Sequence, residues 1–176
     1  LCSQGDCITA RIEQYRRVLS SPISSVAEKI FAVRVLVHLI GDLHQPLHVA
    51  DNNDRGGNDV LIGRTRNNLH SQWDTGFVQK ITRGRNLREV SDRLLEKYKH
   101  QIEEWSSGSH ADWALESRHL ASSFVYAELP SFSCDNTLKV VDQLPVEYIN
   151  KANSMVELRL MMAAVRVAHT LNAALR

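Results

Sequence analysis

The 176-residue sequence has no apolar run long enough to cross a membrane. Its most apolar stretch, Phe31 to Gly41, is short and carries Arg34 and His38. Nor is there a strand-like run long enough to found a sheet-based core, an internal repeat or an interdomain linker. Net charge is nearly absent, since 21 Lys and Arg stand against 20 Asp and Glu, giving +1. That balance neither demands nor excludes nucleic acid as a partner, because local charge can differ from the sum. Charged residues at 23% and hydrophobic residues at 43% exclude a long disordered tail and allow a real core. Cysteine is scarce, with three in all. Cys2 and Cys7 flank a short polar loop, and Cys134 sits in another. The odd count leaves two readings open. One is an exported chain in an oxidising compartment, with a pair and a third cysteine whose partner lies elsewhere. The other is a reduced protein with three unrelated thiols. The start, Leu1-Cys2-Ser3, is neither a signal peptide nor an initiator methionine. The expectation is a chain that begins inside a longer protein.

What is present is helical periodicity. Ile8 to Leu19 makes a first helix, broken at Ser21-Pro22. Ser24 or Ser25 caps the next, and Glu28 three residues after Ser25 completes a capping-box pattern. Ile30, Phe31, Val33, Val35, Leu36, Val37, Leu39 and Ile40 nearly surround that helix, which predicts a central place in the core. It should end near His44-Gln45, because Pro46 cannot continue it. Val49 to Arg66 reads as a Gly-rich loop with a short β-ribbon around Val60-Leu61-Ile62. Helical spacing returns over Asn67 to Ile81, Leu87 to Trp105, Ala111 to Ala127 and Val146 to Leu175. The expected class is all-α, one domain over residues 1–176, with the ribbon between the motif-bearing helices. The basic residues from Arg83 to Lys99 alternate with Glu89, Asp92 and Glu96, as on a solvated helix face.

The chemistry-bearing residues cluster. In His38-Leu-Ile-Gly-Asp42 a histidine and a carboxylate stand at i and i+4 on one helix, so both leave the same face. His48 follows past Pro46, on chain that has turned away. In His70-Ser-Gln-Trp-Asp74 the same i, i+4 pair recurs. Imidazole and carboxylate are the ordinary ligands of catalytic zinc. A carboxylate in an apolar helix is costly unless paired or metal-bound. The alternative at this point is a set of His–Asp hydrogen bonds without metal. His44 is two residues from Asp42 and points elsewhere, so it reads as packing or as support for the ligands. His100, His110, His119 and His169 read as helix-surface or capping residues.

These strings carry a resemblance. His38-Leu-Ile-Gly-Asp-Leu-His-Gln-Pro-Leu-His48-Val, then Asp54-Arg-Gly-Gly-Asn-Asp59, then Asn68-Leu-His-Ser-Gln-Trp-Asp74, resemble the core signature of the S1/P1 nucleases. Weaker echoes follow in order: Trp113-Ala-Leu-Glu-Ser-Arg-His-Leu-Ala121, Tyr148, and Arg166-Val-Ala-His-Thr-Leu-Asn172. The resemblance implies a mostly helical fold of the phospholipase C/P1 nuclease type holding three zinc ions in a cleft. It implies that His38 and Asp42 bind a first zinc and that Asp42 bridges to a second. His48, His70 and Asp74 then hold the remaining ion, complete within this chain, and Asn58 contacts the nucleotide. The Cys2/Cys7 spacing matches a family disulfide. The family's other zinc ligands, among them an N-terminal tryptophan, lie upstream of the matched segment, as does the cysteine that pairs with a late-loop position like Cys134. The expectation is therefore a missing N-terminal segment.

The implied activity is hydrolysis of phosphodiester bonds in single-stranded DNA or RNA to 5′-phosphorylated products, with 3′-nucleotidase activity. Clustered zinc suits it by acidifying a water and neutralising charge on the phosphate and the departing oxygen. Asp42 is the candidate catalytic residue. Secretion, or export to a periplasm, is implied as well. A zinc phospholipase C and a non-catalytic zinc-stabilised binding domain stay open beside the nuclease.

Overall fold

The computed structural model describes residues 7–63, 67–133 and 138–176. Cys2 and Cys134 lie outside the described residues, and with them the Cys2–Cys7 pairing. The first helix, α1 (Ile8–Ser20), packs on α2 (Val26–Leu43). Ser25 caps α2 with the expected box: its hydroxyl accepts the Glu28 N–H at 3.3 Å, and its own N–H donates to Glu28 Oε2 at 2.8 Å. Such a cap stabilises a helix by about 1 kcal/mol. Helix α2 stops at Leu43, and Pro46 starts a 3₁₀ turn, Pro46–His48. A short strand β1 (Leu61–Ile62) follows the Gly-rich loop. Helix α3 (Leu69–Ser71) then runs through a π-helical turn (Gln72–Gly76) into α4 (Phe77–Thr82).

The later chain is helical too. Helix α5 (Leu87–Tyr98) passes through a 3₁₀ turn (Lys99–Gln101) into α6 (Ile102–Trp105), so the expected single helix is broken there. Helix α7 (His110–Leu120) ends in a second π turn (Ala121–Tyr126). After β2 (Val140–Val141), the 29-residue α8 (Val146–Ala174) closes the fold. At about 1.5 Å per residue it is long enough to serve two cores. Toward its start, Tyr148, Ala152 and Val156 pack with Trp73, Phe77 and Val125. Toward its end, Ala174 joins Ile12, Leu36, Ile40 and Trp113. Burying side chains of this size contributes roughly 1.5–3 kcal/mol each. Among the described residues no helix is long and apolar enough to cross a membrane.

One expectation is extended and one changes. The strand at Leu61–Ile62 makes the local ribbon, bridging antiparallel to Asn68, with Ile62 N–H donating to the Asn67 carbonyl at 2.9 Å and Leu69 N–H to that of Val60 at 2.8 Å. It also pairs in parallel with Val140–Val141, far along the chain. Leu61 N–H donates to the Lys139 carbonyl at 2.9 Å, and Gly63 N–H to Val141 at 2.7 Å. The pairing ties the loop between the motifs to the segment before α8. Helix α2, in turn, is not buried all round. Ala32, Leu36, Ile40 and Leu43 are buried, whereas Val26, Ile30, Phe31 and Val37 are 75, 50, 57 and 47% exposed. One face meets α1, α7 and α8, and on the other Tyr15 of α1 meets the Phe31 ring edge-on with centroids 5.8 Å apart, while much of that face stays exposed among the described residues. Apolar periodicity alone does not tell a face that the described residues cover from one that they leave exposed.

Candidate metal centre

The end of α2 positions the first candidate ligands. His38 and Asp42 leave the same face, with Nε2 to Oδ2 at 3.2 Å. The last carbonyls of a helix lack internal partners, and here buried side chains supply them. Ser117 donates to the Leu43 carbonyl at 2.6 Å, and Arg159 Nε to that of His44 at 3.3 Å. Arg159 and Arg166 lie two turns apart on α8, and Glu116 of α7 sits between them. Glu116 takes two bonds from Arg166, at 2.6 and 2.8 Å, and one from Arg159 at 3.2 Å. Burial alone would raise the Glu116 carboxyl, but the two guanidiniums outweigh it and hold it below the usual carboxylate range.

His44 belongs to this network and not to the ligands. It is buried, its Nδ1 donates to the Ile40 carbonyl at 2.7 Å, and its Nε2 accepts from Arg166 at 2.9 Å. An arginine can only donate, so the imidazole is neutral. Burial, with Arg159 beside it, pushes His44 down to about 3.

The turn after Pro46 swings His48 over Asp42 and toward α3. His48 Nδ1 lies 3.7 Å from Asp42 Oδ1, too long for a hydrogen bond, and Nε2 lies 3.0 Å from Asp74 Oδ1. His70 Nε2 approaches Asp74 Oδ2 at 3.3 Å. The His48 and His70 rings stack with centroids 5.0 Å apart. All five expected residues thus form one chain of contacts: His38, Asp42, His48, Asp74, His70.

The π turn carries Asp74 and, next to it, the buried Trp73. Trp73 Nε1–H donates to the Tyr148 hydroxyl at 3.2 Å, which donates to the Val125 carbonyl in the second π turn at 2.9 Å. Single π turns recur at functional sites. This one is anchored across the core directly beside a candidate ligand.

The loop from Asp51 to Asp59 fixes His70. Asp51 accepts N–H bonds from Asp54 at 3.0 Å and Gly56 at 3.2 Å, and those donors hold its carboxyl below the usual range. The buried Asp54 accepts the Gly57 N–H and the Tyr126 hydroxyl, both at 2.9 Å. Burial and that carboxylate push the Tyr126 phenol up. The loop can then turn the Gly56 carbonyl onto His70 Nδ1 at 2.7 Å. A carbonyl only accepts, so Nδ1 carries the proton and the Nε2 lone pair faces Asp74. Asn58 lies in the same loop and donates its side-chain amide to the Arg55 carbonyl at 2.9 Å.

His48, His70 and Asp74 each offer one ligand atom, all within 4.8 Å of one another. Ligands at about 2.0–2.1 Å from a tetrahedral zinc stand about 3.3 Å apart. The contacts of 3.0 Å from His48 to one Asp74 oxygen and 3.3 Å from His70 to the other are close to that spacing, and the two-nitrogen, one-carboxylate donor set suits zinc. His38 and Asp42 supply two donors and need others. Two recesses, of about 430 and 440 Å³, meet at Asp42 and His48. Val78, Val156, Leu160 and Ala163 make an apolar wall in the first, and Asp51, Arg55 and His70 line the second. Gln45, the Gly56 carbonyl and the Glu116 network were not singled out as functional by residue type and spacing. Each nevertheless lies in a string that carries the resemblance: Gln45 before Pro46, Gly56 in residues 54–59, Glu116 in residues 113–121 and Arg166 in residues 166–172.

The S1/P1 Nuclease family model matches residues 1–176. Nuclease S1 of Aspergillus oryzae is 28% identical over 180 residues, covering 95% of this chain and 62% of that protein. Endonuclease 2 of Arabidopsis thaliana is 28% identical over 96% of this chain and 62% of its own length. Nuclease P1 of Penicillium citrinum is 36% identical over 91 residues, 51% of this chain and 33% of that protein. The chain therefore spans 62% of the length of the first two relatives. With its family model matched from end to end, its helical fold and its clustered His and Asp side chains, the chain belongs to the S1/P1 nuclease family.

Proposed function

We propose that the complete protein hydrolyses phosphodiester bonds of single-stranded DNA and RNA with the help of zinc, leaving 5′-phosphorylated products, and that it also removes 3′-phosphates from nucleotides. The observation that carries this reading is the convergence of His48, His70 and Asp74 from two segments, with the His70 Nε2 lone pair aimed inward. In this reading the three would hold one ion, and three protein ligands are the number found in catalytic rather than structural sites. His38 and Asp42 would contribute to holding the other ions. Zinc there would acidify a water and neutralise charge on phosphate oxygens.

The chain's own residues do the rest. The buried Arg159 guanidinium and Ser117 fix the carbonyls of His44 and Leu43, which follow Asp42. The apolar wall of Val78, Val156, Leu160 and Ala163 gives the recess beside the cluster a surface on which an apolar part of a nucleotide can rest. Asn58 contacts the nucleotide. The remaining ligands and the partner of Cys134 come from a segment outside this sequence. The complete protein is secreted or periplasmic, and Cys2 and Cys7 form a disulfide in it. Native alkylation followed by intact-mass analysis should leave both sulfurs unlabelled, and labelling of both would remove the disulfide.

The experiment is His70→Ala in the complete polypeptide, followed by zinc stoichiometry, circular dichroism and hydrolysis of single-stranded DNA. The variant should lose one ion and most of its rate while its helical signal stays. A variant that keeps zinc and rate would take His70 out of the site.

A further inference from the structure

We propose that Gln45 is the positioning residue of the His48/His70/Asp74 centre, its carboxamide tying the Asp74 carboxylate to the turn that carries His48. The inference rests on the proposed metal centre and adds a residue to it. Gln45 precedes Pro46, which keeps it out of the helical region, and its backbone is extended at φ −85° and ψ 115°. The side chain folds back over the turn. Its Oε1 accepts the Leu47 N–H at 2.6 Å, and its Nε2 donates to Asp74 Oδ1 at 2.7 Å. The two contacts fix which end of the amide is which. A flipped amide would set N–H against N–H at Leu47 and oxygen against oxygen at Asp74.

The link crosses 29 residues of chain and joins two ligand-bearing segments. Without it, Asp74 stands on the exposed side of its π turn with only the two imidazoles as hydrogen-bonding or charged partners among the described residues. With it, one lone pair of Oδ1 is filled. The carboxylate cannot swing into the recess, and its oxygens stay 3.0 and 3.3 Å from the His48 and His70 Nε2 atoms. Carboxylates that bind metals are themselves held by such bonds, and losing one weakens metal binding roughly 10–100-fold. A capping role alone needs only the oxygen. Glutamate at this position keeps an acceptor for Leu47 but sets a second carboxylate against Asp74, which separates the two roles.

The test uses the 176-residue chain with Gln45→Glu and Gln45→Met. Zinc affinity is read by competition with a chromophoric chelator, the ligand field by the visible spectrum with cobalt(II), and the turn by metal-free melting. Both variants should bind zinc about 10–100-fold more weakly and shift the cobalt bands. The metal-free Gln45→Glu variant should melt close to the parent. Zinc affinity equal to or above the parent's in either folded variant, or an unchanged cobalt spectrum, overturns the proposal. If the parent itself binds no zinc through His48, His70 and Asp74, the underlying centre fails instead, and the two failures are told apart by the parent alone.

Discussion

Gly56→Ala should damage the centre without touching a ligand. Gly56 sits at φ +63°, and an added Cβ would lie 2.6 Å from the Leu47 carbonyl oxygen, a backbone atom. The left-handed backbone costs a non-glycine residue about 1–2 kcal/mol. Relieving the clash costs about 1–3 kcal/mol more, because the Leu47 turn or the loop must move. The melting temperature should fall by roughly 5–15 °C, at about 2–4 °C per kcal/mol for a chain of this size. Either movement shifts the carbonyl that holds His70 Nδ1 or the turn that carries His48. Zinc affinity should therefore fall about 10–100-fold as well. Gly84→Ala is the control. Gly84 also has a positive φ, +69°, but nothing lies within 4 Å of its added Cβ. It should show the backbone cost alone and leave zinc binding unchanged. Calorimetry in chelator and in zinc, with chelator competition, measures both effects. A Gly56→Ala protein that melts with the Gly84→Ala control and binds zinc like the parent would refute the reasoning.

Other perturbations reach the supports of the site. Glu116→Gln strands the buried Arg159 and Arg166 and should cost roughly 2–3 kcal/mol in urea unfolding, below the 3–5 of a fully buried pair because the carboxylate is partly exposed. No loss would mean that the guanidiniums find other partners. His44 is held near about 3, while an unfolded histidine titrates near about 6.5. Between those values the unfolded chain binds more protons, so stability is full above the upper one and falls as pH drops toward the lower. The loss from this group should reach roughly 5 kcal/mol in chelator, and His44→Gln should flatten the slope. A parent profile without that slope would contradict the buried neutral imidazole. Tyr126→Phe removes one of the bonds to the buried Asp54 and should cost about 1–3 kcal/mol, read by thermal melting.

The candidate ligands are readable because their spacing repeats. His38/Asp42 and His70/Asp74 are local pairs, and any helix brings such residues to one face. The Ser25/Glu28 cap and the stop before Pro46 were readable for the same reason, since both are decided within one turn. What spacing could not show is contact across the chain. Gln45 reaches Asp74, Gly56 reaches His70, and Leu61 pairs with Val140 over long separations. The π turn at Gln72–Gly76 hid as well, because one extra residue in a turn leaves the apolar pattern almost unchanged. The exposed face of α2 shows the opposite limit. Its apolar residues are plain in the sequence, but pattern alone does not say what covers them.

The most direct measurement is zinc-edge anomalous diffraction from crystals of the 176-residue chain grown with zinc. The account predicts a peak within about 2.0–2.2 Å of the His48 and His70 Nε2 atoms and an Asp74 oxygen. A peak bound by other residues, or none between these three while zinc is present in the crystal, would contradict it.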